Sequence, residues 1–147
     1  MVTYRPRGII VPAATVRING HLYTSKPDHR NGNAAKSQWT ITMTDERRAF
    51  DCSISRSWKY GERSWGLHLD PNDQAGYLGN SPKNPGPSNP LFIALFELAD
   101  VCHGYPCDPA RSNRERPPDS IRRSWLDQEL LRKATIRKIG RGQRCAL

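Results

Sequence analysis

Leu91-Phe-Ile-Ala-Leu-Phe-Glu-Leu-Ala-Asp-Val101 is the longest apolar stretch in this 147-residue chain, and its conformation decides the fold. Ser88 or Asn89 can cap a helix with Pro90 at its first position, and His103-Gly104 offers a stop. On that reading the segment is a helix apolar nearly all round, the kind of element that lies buried across a sheet. Glu97 and Asp100 interrupt the run, which falls well short of the ~18 apolar residues a membrane span requires.

The sheet for this helix to cover is expected upstream. In Thr15-Val-Arg-Ile-Asn-Gly-His-Leu-Tyr-Thr24, apolar residues flank Asn19-Gly20, the strongest short hairpin signal. Trp39-Thr-Ile-Thr-Met43 alternates with period two, as does Ala49-Phe-Asp-Cys-Ser-Ile-Ser55 with Phe50, Cys52 and Ile54 on one face. Thr44-Asp-Glu-Arg-Arg48 has the length of a hairpin connection. Residues 1–57 therefore read as mainly β. Residues 58–90 read as a Gly/Pro-rich loop region, with Leu67-His-Leu69 a short strand and Ser81–Pro90 turn and polyproline chemistry. Residues 91–147 read as helical. After the apolar helix, Pro117-Pro118-Asp119 starts a second helix running to about Gln128, with Ile121, Trp125 and Leu126 inward. A third, about Lys133 to Ile139, turns Ile136 and Ile139 inward. The expected fold is a single α+β domain: a small antiparallel sheet covered by one apolar helix, with two short basic C-terminal helices. The expected core is Val16, Ile18, Ile41, Ile54, Phe92, Leu95, Phe96 and Leu98.

Charge points to function. The net charge is +9, and residues 111–147 hold eleven basic groups, nine of them arginine, against four acidic ones, a local net of +7. Arginine forks suit phosphate and carboxylate, so the expected partner is a nucleic acid or a nucleoprotein complex, or else an acidic protein face. A solvated surface with no dedicated partner is the plainer account. If the apolar residues of the two last helices lie inward, Arg122, Arg123, Arg132, Lys133, Arg137, Lys138 and Arg141 form the candidate binding face. The pair resembles a helix-turn-helix in outline, although Glu129-Leu-Leu-Arg132 between them lacks glycine. Trp58, Lys59, Arg63 and Trp65 form a second candidate patch, where aromatics among cations can stack bases.

Other chemistries are weakly supported. Cys102-His-Gly-Tyr-Pro-Cys107 places two thiols near the His103 imidazole, with Cys145 or Cys52 as a fourth ligand of a zinc site, but Cys-x4-Cys without a matching second pair is a poor signature. The expectation is no metal and no cofactor. Asp51, His68, Asp70, Asp73 and His103 are scattered acid–base candidates in no recognised motif, and Gly76-Tyr-Leu-Gly79 lacks the context of a phosphate loop. A small nuclease is an alternative to the binding protein. Met1-Val-Thr-Tyr-Arg-Pro-Arg-Gly8 contains no apolar secretory core, and four cysteines in an unsecreted chain read as reduced thiols, so a cytoplasmic location is expected.

His103-Gly-Tyr-Pro106, Arg116-Pro-Pro118, Trp125-Leu126, Arg132-Lys-Ala134, Arg137-Lys-Ile139 and Gly142-Gln-Arg-Cys145 together resemble the tail of small uncharacterised proteins of bacteria and their prophages. Upstream, a strand, a glycine- and proline-rich loop, then Pro90 and a helix ending Ala99-Asp100 is similar to another group of small phage proteins, and the resemblance covers a third to half of the chain. It implies a mobile-element origin in a bacterial host and, with that, a non-enzymatic binder such as a phage-encoded inhibitor of a bacterial defence system.

Overall fold

A computed structural model describes residues 15–83 and 86–147, with the backbone of 2–3 and 11–12. Most of the N-terminal stretch without a secretory core, and Asn84 and Pro85 of the proline-rich loop, lie outside the described residues. The strands are β1 Val2–Thr3, β2 Val11–Pro12, β3 Val16–Ile18, β4 His21–Tyr23, β5 Gln38–Trp39, β6 Lys59–Tyr60, β7 Arg63–Leu69, β8 Ala75–Gly76, β9 Gly79–Asn80, β10 Pro90–Leu91, β11 Ile93–Glu97 and β12 His103–Cys107. The helices are α1 Met43–Ser55, α2 Asp119–Asp127 and α3 Lys133–Gly140. The fold is α+β with antiparallel sheets. Its main sheet runs β12-β11-β7-β6, with β8 on the end of β7. A smaller one runs β10-β9-β5, and β3-β4 form a hairpin.

The apolar run is a strand, not a helix. Ile93–Glu97 is the sheet's inner strand, paired with β7 on one side and β12 on the other. It is apolar at every position through Phe96 because both of its faces are covered. Ile93 and Leu95 face a cluster with Trp65, Leu67, Trp58 and Trp125, while Ala94 and Phe96 face one with Tyr23, Trp39, Phe50 and Leu78. A doubly buried strand and a buried helix share the same composition, and periodicity cannot separate them. The neighbours carry the missing information. Phe96 sits between Ser64 of β7 and Gly104 of β12, and a methyl on Gly104 would overlap its ring. At Gly66 a methyl would lie 2.9 Å from Phe96 Cε2 and 3.0 Å from the Ala49 carbonyl of α1. Those two glycines make room for Phe96, and Gly66 for the α1 backbone as well.

The covering helix on that face is α1, which replaces the strand expected at Ala49–Ser55 and the hairpin connection expected at Thr44–Arg48. Thr42 caps it by accepting a hydrogen bond from the Asp45 amide at 3.1 Å, and Asp45 and Glu46 occupy its first turn. Glu46, Ala49, Phe50 and Ser53 are its buried residues, a helical spacing that overrides the accidental alternation of Phe50, Cys52 and Ile54. Only Gln38–Trp39 of the expected Trp39–Met43 strand is extended. Glu46 is fully buried. Its carboxylate accepts from Arg30 Nη2 at 2.8 Å and Nε at 3.1 Å, and from the Tyr23 hydroxyl at 2.5 Å. Burial and the Glu46 charge push the Tyr23 phenol far above its ordinary range.

The Asn19-Gly20 hairpin forms as expected, with both turn residues at positive φ (50° and 82°). It docks through Thr24 and Leu22 onto the Cys102 backbone. Residues 58–90, expected to be mostly loop, supply β6 to β9. The two C-terminal helices appear where expected and cover the opposite face of the sheet. Of the expected core, Phe92, Leu95 and Phe96 are buried, Ile18, Ile41, Ile54 and Leu98 pack half-buried at its margin, and Val16 is half-buried outside both clusters.

Candidate nucleic-acid interface

The helix pair is anchored through indoles. Trp125 of α2 meets Trp58 edge to face at 5.7 Å, and Trp58 Nε1 donates to Ser124 Oγ at 3.3 Å. Ile121, Leu130, Leu131 and Ile139 complete the buried side. Trp58 is 1% exposed and Trp65 2%, and Trp65 Nε1 donates to the Glu115 carbonyl at 3.1 Å. The base-stacking role expected of these two rings is therefore corrected: they hold the helices to the sheet. Lys59 is exposed beside them, while Arg63 approaches Glu97 at 3.6 Å.

The remaining candidates divide sharply. Arg122, expected to point outward, is 19% exposed. Its Nη1 donates to the Pro117 carbonyl at 2.8 Å, and its guanidinium lies against Gly140, so it joins α2 to α3. Arg123 pairs with Asp119 at 3.1 Å. Arg132, Lys133, Arg137, Lys138 and Arg141 are all exposed, as is Arg144, and among the described residues no ion pair reaches any of the six. Beyond Glu129 the chain contains no acidic residue. Lys133, Arg137 and Arg141 follow one another at intervals of four and so form a stripe along one side of α3.

This strip opens into connected recesses. One of about 320 Å³ is lined by Lys138, Arg144, Asn89 and Tyr77, and Tyr77 is one of two exposed large aromatics among the described residues, at 38%. Arg144 and Asn89 also line a second recess, which contains Arg111. Arg111 in turn lines a cleft of about 450 Å³ over the outer edge of β12. The cleft floor is His103–Pro106, and its walls are the segments around 26–37 and 108–115. His29 Nδ1 donates to the Ser37 carbonyl at 2.9 Å, and its ring stacks on Tyr105 with centroids 5.3 Å apart. Burial lowers the pKa of both His29 and His103, with cationic Lys36 and Lys26 adding to the respective shifts. Burial and the nearby Glu115 push the Tyr105 phenol up to about 12, and burial raises Glu115 itself. Of these cleft residues, the sequence pointed only to His103. Pro27-Asp-His29 sits in a polar loop with no motif to mark it.

The cysteine cluster separates. Cys102 packs with Tyr23 and Phe50 and donates to the Ala99 carbonyl. Cys107 belongs to the tryptophan cluster on the other face of the sheet. Burial raises the pKa of Cys52, Cys102, Cys107 and Cys145. Among the described residues no group of three or more His, Cys, Asp or Glu is placed to hold a metal ion. Nor, among them, is any helix long and apolar enough to cross a membrane. Compared with protein-family models, curated proteins and solved structures, the chain matches none.

Proposed function

We propose that the protein is a nucleic-acid-binding protein that takes a single strand along α3 and the recesses beside it. The observation that carries this reading is the set of six exposed cations from Arg132 to Arg144 with no acid among them. Elsewhere on the molecule exposed arginines tend to be spent on carboxylates: Arg48 on Asp45, Arg114 on Glu97, Arg123 on Asp119. Unspent charge on a short rigid helix suits phosphates, whose binding is driven by counterion release regardless of sequence. A single strand fits better than a duplex because the strip runs beside an exposed tyrosine and open recesses, the combination of cations and stacking ring that unpaired bases use. A nucleoprotein complex of a bacterial host would present the same chemistry, in keeping with the resemblance to prophage proteins.

The test is fluorescence anisotropy with a labelled random-sequence strand, run with and without excess polyglutamate. Lys133→Glu with Arg137→Glu and Arg141→Glu is expected to abolish measurable binding while leaving Tm unchanged. Polyglutamate that displaces the strand at equal charge concentration would favour an acidic protein partner. Equal binding by the triple variant would refute the strip.

A further inference from the structure

The geometry points to a second activity: the cleft over β12 cuts single-stranded RNA by proton transfer between His29, a 2′-hydroxyl and Tyr105. It rests on the strip only for delivery of the strand. The cleft brings together groups that move protons and groups that hold anions. His29 is oriented as a base should be, because its Nδ1 proton is committed to the Ser37 carbonyl, so the neutral ring carries its lone pair on Nε2. The stacked Tyr105 ring fixes the plane of the imidazole. The Tyr105 hydroxyl keeps its proton throughout the neutral range. Lys26, Lys36 and Arg111 line the same opening as Asp28, Asp108 and Glu115, with Arg114 paired to Glu97 at its rim, and among the described residues no ion pair within 4 Å engages the first three cations. They are available to a phosphate. His103 lies two residues before Tyr105 on β12, about 7 Å along the strand, and as a neutral ring it can donate to a non-bridging oxygen.

A base, an acid and nearby cations are sufficient for one phosphodiester reaction, the internal attack available to RNA. His29 Nε2 takes the 2′-hydroxyl proton, and the 2′-oxygen bonds to the adjacent phosphorus. The bond from phosphorus to the 5′-oxygen breaks, and the Tyr105 hydroxyl gives its proton to that oxygen. The products are a 2′,3′-cyclic phosphate and a 5′-hydroxyl. The proton held by His29 then returns to the Tyr105 phenolate, which restores the site. Arg111 ties the cleft to the strip, since it lines both the cleft and the recess that Arg144 shares.

The experiment incubates the full chain in EDTA with a random-sequence RNA pool and with the matching DNA pool. Mass spectrometry reads the ends, and anisotropy reads binding in parallel. The expected result is cleavage of RNA alone, leaving 2′,3′-cyclic phosphate ends. His29→Ala and Tyr105→Phe should each slow it at least 100-fold, the scale of a lost acid or base, with RNA binding and a cooperative melting transition retained. RNA bound through the strip but never cut would overturn the cleft and leave the strip standing. RNA cut by a chain whose binding ignores the strip substitutions would do the reverse. Cleavage that persists in both variants, or that attacks DNA equally, would also overturn the proposal.

Discussion

Salt dependence gives the strip its most quantitative test. Each phosphate neutralised releases condensed counterions, so log affinity falls against log salt by about 0.7 per contact on a single strand and about 0.9 on a duplex. If Arg132, Lys133, Arg137, Lys138, Arg141 and Arg144 all engage phosphates, the slope is about −4 on single strands, and raising salt from 50 to 200 mM weakens binding roughly 300-fold. Neutralising Arg137 and Arg141 to Gln removes two contacts and should bring the slope to about −3. The same pair should leave stability within about 0.5 kcal/mol, because both side chains are exposed and unpaired. By contrast, Arg123→Gln should change the slope little, since Asp119 already neutralises that charge. The assay is anisotropy titration at five salt concentrations, with Tm recorded for each variant. A slope that stays the same after Arg137 and Arg141 are neutralised, or that falls equally with Arg123→Gln, refutes the reasoning.

Three further outcomes follow from the same geometry. Tyr77→Ala should weaken single-strand binding by about 1–3 kcal/mol at a smaller cost in stability, since its ring meets Phe92 edge to face and its hydroxyl accepts from the Leu147 amide, whereas Trp58→Ala should lower stability by about 3–5 kcal/mol; urea melts with parallel anisotropy distinguish them, and a Trp58 variant that keeps full stability would show that the ring is not core. Among the described residues, Arg30→Met leaves the buried Glu46 carboxylate with only the Tyr23 hydroxyl, and should cost about 3 kcal/mol in chemical denaturation, the low end for a broken buried pair because Arg30 keeps one edge in water; a loss below about 1 kcal/mol would refute it. His29 and His103 titrate below their unfolded value of 6.5, so the unfolded chain takes up protons first, and the stability they contribute is complete above that pH and lost as the pH falls through it. Glu115, raised by burial, works in the opposite sense at lower pH, so the informative quantity is the difference between the parent and His29→Gln with His103→Gln. That difference should change between pH 7.5 and 5; a constant one would sink the assignment.

Local signals survived into the structure wherever the deciding contacts were local. Asn19-Gly20 makes its own turn, and Pro117-Pro118-Asp119 starts its own helix, so both could be read from a few residues. At Leu91–Val101 the deciding contacts are distant. Whether that run becomes a helix or a strand depends on Gly104 opposite Phe96 and on Gly66 opposite Ala94, far apart in the sequence, which leave room for the Phe96 ring. The Ala49–Ser55 segment failed for a related reason. Its alternation is real, but Thr42 and Asp45 supply a cap that period-two counting never weighs. The spacing Thr42-x-x-Asp45 ahead of Ala49 and Phe50 is the sequence signature of that cap.

The two halves of the candidate site differ in legibility for the same physical reason. Exposed charge on a helix needs no partner to be read, and five of the seven α2–α3 cations named from sequence are exposed without a counter-ion. Arg122 was misread because a long side chain can fold back over its own helix: its guanidinium reaches the Pro117 carbonyl and the face of Gly140. The cleft was invisible because its members come from three separated segments, each unremarkable alone. What joins them is the edge strand β12, with the stretch around 26–37 on one side and the stretch around 108–115 on the other. An edge strand in a mixed fold must be covered to avoid pairing with another chain, and loops that cover an edge without pairing to it leave space between them. Here that space received a histidine with a fixed tautomer, a phenol, cations and carboxylates beside a few apolar residues. Polar groups left half-buried in a cleft cost stability without serving the core. That cost, borne within reach of a strip of unspent positive charge, is what ties the cleft to the strand the strip is proposed to hold.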